Sequence, residues 1–399
     1  MRAIVAGGSL GGLFAAHMLL RQGWSVQVHE RVEAALQGRG AGIVTHPALL
    51  DALRYLGLPV DATLGVEVAQ RRVIARDGSV LRQQALPQLL TAWSRLFHLL
   101  HSNLPEHCYR SASEITGFTQ DANAVHVELA QGGRETADLL VAADGLRSAI
   151  RRRLLPDCSP RYAGYIAWRG MVDEADLSQA VRDEVFPYFA FDLPPREQLV
   201  GYPIAGADNS VEPGHRRFNF VWYRPADERT TLREMLTDGS GRFWQDGIPP
   251  PLIRPDVLTA ARVAAAGVLS PQFAELVNRS SNLFFQPIFD LESPRLAFDR
   301  VALLGDAAFV ARPHCGMGVS KAADDAFALG NALARAASVP AALQAYESVR
   351  LGKGRQIVSH ARALGAYMQA QLHTAEERAM AERHRSPDAV MQETAIAVT

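Results

Sequence analysis

The first thirty residues leave this chain few choices. Arg2-Ala-Ile-Val-Ala6 is an apolar, strand-like run, and Gly7-Gly-Ser-Leu-Gly-Gly12 follows at once. Leu13 to Gln22 then carries Leu, Phe and Met at helical spacing, Gly23 stops that helix, and Ser25 to His29 is apolar again. Strand, tight turn, helix, strand is a βαβ unit, whose two strands lie parallel in one sheet with the helix crossing over a face. The turn reads as Gly7-x-Ser9-x-x-Gly12, a dinucleotide fingerprint with Ser in the middle place. Small residues at those three places permit the tight turn, the approach of backbone to a pyrophosphate, and the packing of helix on strand; the helix amides offer an anion site. Glu30 stands 23 residues after Gly7, at the end of the second strand, where an acid hydrogen-bonds an adenosine ribose. The same turn also matches Gly7-x-Ser9-x-Gly11, the nucleophile elbow of α/β-hydrolases. In that reading Ser9 is a nucleophile, Glu30 has no task, and the elbow follows the first strand instead of several.

Two later apolar runs end like the first. Asp138 to Ala143 runs into Asp144-Gly145, and Arg300 to Leu304 runs into Gly305-Asp306. In an open parallel sheet the carboxyl ends of strands are where ligands sit. Residues 162 to 225 have another texture, with aromatics at period two between Gly and Pro breaks, which predicts antiparallel strands. Leu89 to Leu104 reads as a surface helix, residues 256 to 279 have helix-like spacing, and Ala322 to about Ala370 is helical and rich in Ala and Leu. The polar end beyond Ser386 is expected to fray.

Composition excludes several functions. Forty-one Lys and Arg against 42 Asp and Glu give a net charge of -1, with no surplus of cations to track a phosphate backbone. The three cysteines, Cys108, Cys158 and Cys315, are widely spaced and make neither a disulfide framework nor a zinc ribbon. His98 and His101 with His107 and Cys108 lack an acid partner motif, so no metal site is expected. The first strand begins at Arg2 and leaves no room for a signal or transit peptide, and no apolar run reaches the roughly 18 residues of a span. A cytoplasmic, reduced protein is expected.

The ordered set of motifs resembles a known family. The amino-terminal Gly turn ending in Glu30-Arg31, the Asp144-Gly145 motif and the Gly305-Asp306 motif occur in the order found in single-component, FAD-dependent aromatic hydroxylases of the para-hydroxybenzoate hydroxylase type. Val5 to Leu13, Gly40-Ala-Gly-Ile-Val44, Tyr162-Ala-Gly-Tyr-Ile-Ala-Trp-Arg-Gly170 and the Arg312-Pro313-His314 turn look most like the 2,6-dihydroxypyridine 3-hydroxylase branch. The resemblance implies an α/β fold: a Rossmann-like FAD-binding domain, a second, mostly antiparallel β-sheet substrate domain, and C-terminal helices. The boundaries expected are 1–70, 91–161 and 283–340 for the first, 71–90 and 162–282 for the second, and 341–399 for the helices and tail.

It also implies roles. Gly7, Ser9 and Gly12 would face the pyrophosphate of noncovalent FAD, Glu30 and Arg31 the adenosine end, and Arg39 and Gly42 the flavin chain and ring. Asp144 and Gly145 would serve both FAD and the nicotinamide nucleotide, Gly305 and Asp306 the ribitol, and Gly316, Gly318 and Val319 the isoalloxazine. Two departures stand out: Ser9 replaces Gly, and Trp93 occupies the place of a usual FAD-contacting Arg, with Arg95 nearby. NAD(P)H would be a transient co-substrate, since no second fingerprint appears; the triple Arg151-Arg-Arg153 reads as a solvated basic helix end.

The implied activity is hydroxylation of a small hydroxylated aromatic or N-heteroaromatic ring by NAD(P)H and O2 through a flavin hydroperoxide, as in aromatic catabolism. Such a ring is activated by losing a proton, so a base belongs near its hydroxyl. The candidates are His46, Tyr202, Tyr223 and His314. Cys315 is expected to line the pocket without acting as a nucleophile. Another flavin oxidoreductase, such as a reductase or halogenase, and a Ser9 hydrolase remain as alternatives, and a homodimer stays open.

Overall fold

The computed structural model describes residues 1–33 and 42–398; Arg39, with Gly40 and Ala41, lies outside the described residues. The opening βαβ unit forms as its sequence requires. Strand β1 (Arg2–Ala6), helix α1 (Leu10–Arg21) and strand β2 (Ser25–His29) pair β1 with β2 in parallel, Ala3 opposite Val26. On its other side β1 pairs in parallel with the strand Leu139–Ala142, which in turn pairs with Val301–Leu303. The three predicted strands thus lie side by side with their carboxyl ends together, in a six-stranded sheet. Both β1 and Leu139–Ala142 are almost wholly buried, as expected of parallel strands covered on both faces.

The glycines of the turn are steric necessities. Gly7 has φ of +101°, and a Cβ there would lie 2.4 Å from the Ala143 carbonyl oxygen. A Cβ at Gly12 would lie 1.9 Å from the carbonyl oxygen of Gly7, so α1 could not start so close to its strand.

The second half of the molecule is a nine-stranded sheet. Its centre is antiparallel, with Arg161–Asp173 between Phe284–Glu292 and Arg217–Pro225, followed by Gln198–Ile204 and Phe189–Asp192. One parallel pairing, Phe189–Asp192 with Val66–Ile74, adds the long hairpin 66–92 and then strand β3 (Gly42–Val44) at the edge. Alternation along these strands produces two apolar faces. Trp168, Phe220 and Trp222 face the helices Pro255–Val268 and Pro271–Arg279. Tyr165, Ala167, Val200, Tyr202, Val221 and Tyr223 form the other face, the one turned toward the six-stranded sheet.

Three local expectations are corrected. The predicted helix over 89–104 is a strand as far as Ala92 and a helix only over Trp93–Ser102, because residues 89–92 are claimed by pairing with β3 and Val66–Glu67. Arg151 is not solvated: it is 1% exposed and donates to the carbonyls of Leu146 (2.6 Å) and Ala307 (3.0 Å), while Arg152 and Arg153 stay outside. It thereby ties the loop after Asp144-Gly145 to the one after Gly305-Asp306.

The end beyond Ser386 does not fray either. It forms helix Pro387–Glu393, and Arg71, which is 0% exposed, donates to the carbonyls of Met391 (2.7 Å) and Thr394 (2.6 Å). Burial lowers the Arg71 guanidinium to about 9, still charged at neutral pH, and its acceptors are these carbonyls and Gln88. Among the described residues no helix is long and apolar enough to cross a membrane.

Candidate active site

A cleft of about 370 Å³ opens where the two sheets meet. Its first wall is made of backbone. Ser9 to Gly11, Ala143, Gly145, Leu304 to Asp306, Gly316, Gly318 and Val319 line it. Helix α1 and the helix Gly318–Arg335 both begin here, and neither amino end is closed by a side-chain cap, so their first N–H groups are available to an anion or an acceptor. Asp306 is exposed in the cleft. The second wall is made of side chains: Trp93, Arg169, Phe189, Tyr202, Tyr223 and His314, with Thr394 and Ala395 from the carboxyl end. A larger depression of about 630 Å³, between residues 154–161 and 290–294, holds none of the sequence-predicted residues.

Several predicted residues support the cleft from behind. Glu30 Oε2 accepts from the Gly8 N–H at 2.8 Å and Oε1 from Val32 at 3.0 Å, which locks the acid against the Gly turn. Asp144 Oδ2 accepts from the Ala149 N–H at 2.8 Å at the start of the next helix, and its Oδ1 has no partner among the described residues; burial raises this carboxyl. Arg31 is exposed and outside the lining. A Cβ at Gly42 would lie 2.3 Å from Tyr202 Cε2, so only glycine lets β3 meet the aromatic wall, and the Gly42 N–H is held by Asn219 Oδ1 at 3.0 Å. Trp93 lines the cleft and stacks on Phe97, with ring centroids 5.0 Å apart, whereas Arg95 turns away to Thr63.

The four proton-handling candidates separate clearly. Tyr202 stacks on Phe189 (5.0 Å) and Tyr223 lies against His314 (4.2 Å). Burial raises both hydroxyls far above the ordinary tyrosine range, so both keep their protons. Burial, then the charges of Arg312 and Arg169, lower His314 to about 3, so its ring is neutral at physiological pH. His314 Nε2 lies 2.8 Å from the Tyr165 hydroxyl, and the Arg312 guanidinium, held by Asp290, sits 5.6 Å from the Tyr165 ring centroid. His314 Nδ1 has no partner among the described residues. His46 is 4% exposed, sits behind Gly316 and does not line the cleft; burial lowers it as well. Cys315 is buried beneath the turn with its thiol raised to about 11 by burial, which keeps it a thiol. Ser9 is the extended N-cap of α1, and no histidine hydrogen-bonds to it among the described residues, so the hydrolase reading lacks a base.

Known proteins share this fold. Residues 162–290 match a family model described as FAD binding domain-like, and 292–361 one described as FAD binding domain. The 2,6-dihydroxypyridine 3-monooxygenase of Paenarthrobacter nicotinovorans is 30% identical over 368 residues, covering 92% of this chain and 91% of that one. The chain belongs to the FAD-dependent aromatic hydroxylase family. The structure of 2,6-dihydroxypyridine-3-hydroxylase from Arthrobacter nicotinovorans superposes with a TM-score of 0.87 at 29% identity, covering 94% of each chain. A Klebsiella pneumoniae HpxO variant complexed with FAD does so at 0.76 and 25%, covering 99% of this chain and 95% of that one. The FAD-dependent urate hydroxylase of Klebsiella pneumoniae is 30% identical over 91% of this chain and 89% of its own. As a member of the family, the protein is a flavoenzyme with FAD as its cofactor. The first wall fits that group: lining glycines at 145 and 318 that leave open space where a Cβ would stand, two uncapped helix amino ends, and the carboxyl of Asp306, raised by desolvation within the cleft.

Sequence reasoning missed three contributors. Arg169 stood inside the motif Trp168-Arg169-Gly170, and period-two spacing from Tyr165 could have put it on the same face. Thr394 and Ala395 carry no sequence signal, because residues distant in the chain bring them in: Arg71 donates to both carbonyls, Gln88 donates to the Ala395 carbonyl at 3.1 Å, and the Ala395 N–H donates to the His314 carbonyl at 2.7 Å.

Proposed function

We propose that this protein hydroxylates a small aromatic or N-heteroaromatic ring that already bears a hydroxyl, using NAD(P)H and O2. The observation that carries the reading is a single cleft with a backbone wall suited to a flavin nucleotide and, facing it, an aromatic wall with two protonated tyrosines and a neutral histidine. Relatives at 30% identity are named for a dihydroxypyridine and for urate, both hydroxylated N-heteroaromatics, which supports the ring class.

In this reading Ser9, the amino end of α1 and Glu30 hold the nucleotide end of FAD, Asp306 the ribitol, and Gly316 to Val319 lie beside the ring system. When bound, FAD supplies the chemistry: it takes reducing equivalents from NAD(P)H and activates O2 for transfer to the substrate ring. The chain's own residues bind and orient. Phe189, Tyr202 and Tyr223 give an aromatic ring one apolar face to pack on and exclude water, and the two tyrosine hydroxyls donate to its substituents. The tail at Thr394–Ala395, held by Arg71, closes the same space.

The test is isotopic. Under 18O2, with NADH or NADPH and a panel of hydroxypyridines and hydroxybenzoates, one labelled atom should enter the product ring. A product whose new oxygen comes only from water would overturn the reading.

A further inference from the structure

Among the described residues lining the cleft Arg169 is the only cation, and its side chain has no hydrogen-bond or ion-pair partner among the described residues. It lies in the strand Arg161–Asp173, opposite Val221 on one side and Phe284 on the other, on the face shared by Tyr165 and Ala167. The other half-buried or buried arginines of this sheet are satisfied: Arg71 and Arg72 by carbonyls, Arg216 by Glu174 at 2.7 Å, Arg217 by carbonyls, Arg224 by Glu197 at 3.0 Å. Arg169 alone in this set has a shielded Nε without a hydrogen bond and no carboxylate within ion-pair distance among the described residues. Its charge is felt by Tyr202, Tyr223 and His314, which places it at the aromatic end of the cleft.

Two further buried polar atoms nearby are orphaned: the Nδ2 donor of Asn219, whose oxygen is taken by Gly42, and His314 Nδ1. Buried donors without acceptors are costly, and a fixed guanidinium more so, unless a ligand completes them. The unmet need at this end of the cleft is for an acceptor carrying negative charge. We propose that Arg169 is a specificity-determining residue that pairs with an anionic oxygen of the aromatic substrate. The proposal rests on the cleft being the ring site of a hydroxylase. It also changes how the ring is activated. A cation beside a ring hydroxyl favours its ionised form, so the protein selects the oxyanion and has no need of a strong base among Tyr202, Tyr223 and His314.

The anionic oxygen can belong to a ring carboxylate or to an ionised ring hydroxyl, and three probes distinguish them. The FAD-loaded protein is titrated with benzoate, 2,6-dihydroxypyridine and neutral benzamide between pH 6 and 9, following the perturbation of flavin absorbance. Arg169→Met should keep FAD and its benzamide affinity while losing about 10- to 100-fold for the anion, the loss of a hydrogen bond to a charged group; Arg169→Lys should recover part. If the partner is a carboxylate, benzoate affinity falls in the Met variant and is flat with pH in wild type. If it is an ionised hydroxyl, dihydroxypyridine affinity falls instead, and wild-type binding tightens as pH rises. Equal affinities of wild type and both variants for both anions, or no anion binding in wild type, would overturn the proposal. An unchanged KM for hydroxylation in Arg169→Met would also overturn it while leaving the hydroxylase reading intact. Anion binding that depends on Arg169 in a protein that oxygenates no ring would do the reverse.

Discussion

The two walls of the cleft are built by opposite means. The six-stranded sheet offers backbone: turns of Gly and Asp at three parallel strand ends and two open helix amino ends. The nine-stranded sheet offers side chains, an aromatic face with one unpaired arginine. A backbone wall recognises what is common to a cofactor, because N–H groups and close approach do not vary with the residue. A side-chain wall can be retuned one position at a time. The difference predicts that damage to the first wall removes the cofactor altogether, while damage to the second changes what is bound and how tightly.

The sharpest way to break that contrast is Gly12→Val. With a Cβ 1.9 Å from the Gly7 carbonyl oxygen, α1 must move off its strand and carry the open helix end away from the pyrophosphate position. The variant should purify without FAD, read by absorbance near 450 nm, a wavelength scale set by the flavin. Should the protein fold poorly, Asp306→Ala is the milder probe, and it should lose FAD partially with the fold intact. Full FAD occupancy in both would remove the first wall from its assigned place.

Next in size is Arg71→Met. Methionine fills the space over Phe189 but leaves the Met391 and Thr394 carbonyls without their donor. Unsatisfied buried groups cost about 1–3 kcal/mol each, so a loss on the order of 3 kcal/mol is expected if the tail stays in place. If the tail detaches, the cost appears instead as faster proteolysis beyond Ser386 and as more hydrogen peroxide released per NADH consumed. A variant with unchanged stability, tail protection and coupling would show that the carboxyl end is not a working part of the second wall.

His46→Gln should have a smaller effect. A group taking the ring proton contributes 10²- to 10⁴-fold. His46 lies behind Gly316, against the backbone of Cys315 and Gly316, and so supports that turn. Hydroxylation should fall by less than about tenfold, the scale of one lost neutral hydrogen bond. A fall of 10³ with FAD still bound would return proton transfer to His46.

The contrast between walls also explains what could be read from the chain. Gly145, Gly305 and Asp306 line the cleft, and Gly7, Gly12 and Glu30 shape the turn beside it; these positions stand out in the chain because a backbone wall demands small or acidic residues at fixed offsets from strand ends, and those offsets survive in one dimension. The aromatic strands were legible as strands, since period two survives as well. Which face meets the cleft was not, because helices cover one side and the other sheet the other, so both faces are apolar. That ambiguity hid Arg169. The roles of His46 and His314 turned on burial depth and on a Tyr165–His314 contact spanning 149 residues, and no local pattern encodes either. The strand ending at Ala92 and the ordered tail failed for a related reason: tertiary pairing with β3 and the Arg71 donors outweighed local preference.

The smallest effect concerns acid. His314 titrates near 3 in the folded protein against about 6.5 when unfolded, held down by burial and by Arg312 and Arg169, with Tyr165 and Tyr223 as its neutral neighbours. Its folded value is depressed, so below about pH 6.5 the unfolded chain binds a proton that the folded chain refuses, and stability falls as pH falls. Above that range the group contributes no pH dependence. Between pH 7 and pH 6 the linkage for such a pair of values amounts to about 0.7 kcal/mol. Urea unfolding of the protein at the two pH values should show His314→Gln losing about that much less stability on acidification than wild type, because glutamine fills the site without a proton to gain. His17, His29 and His46 are also lowered by burial and add to the wild-type slope, so only the difference between the two proteins isolates His314. Equal slopes would mean that the His314 ring accepts a proton at ordinary pH, and the second wall would then hold a base after all.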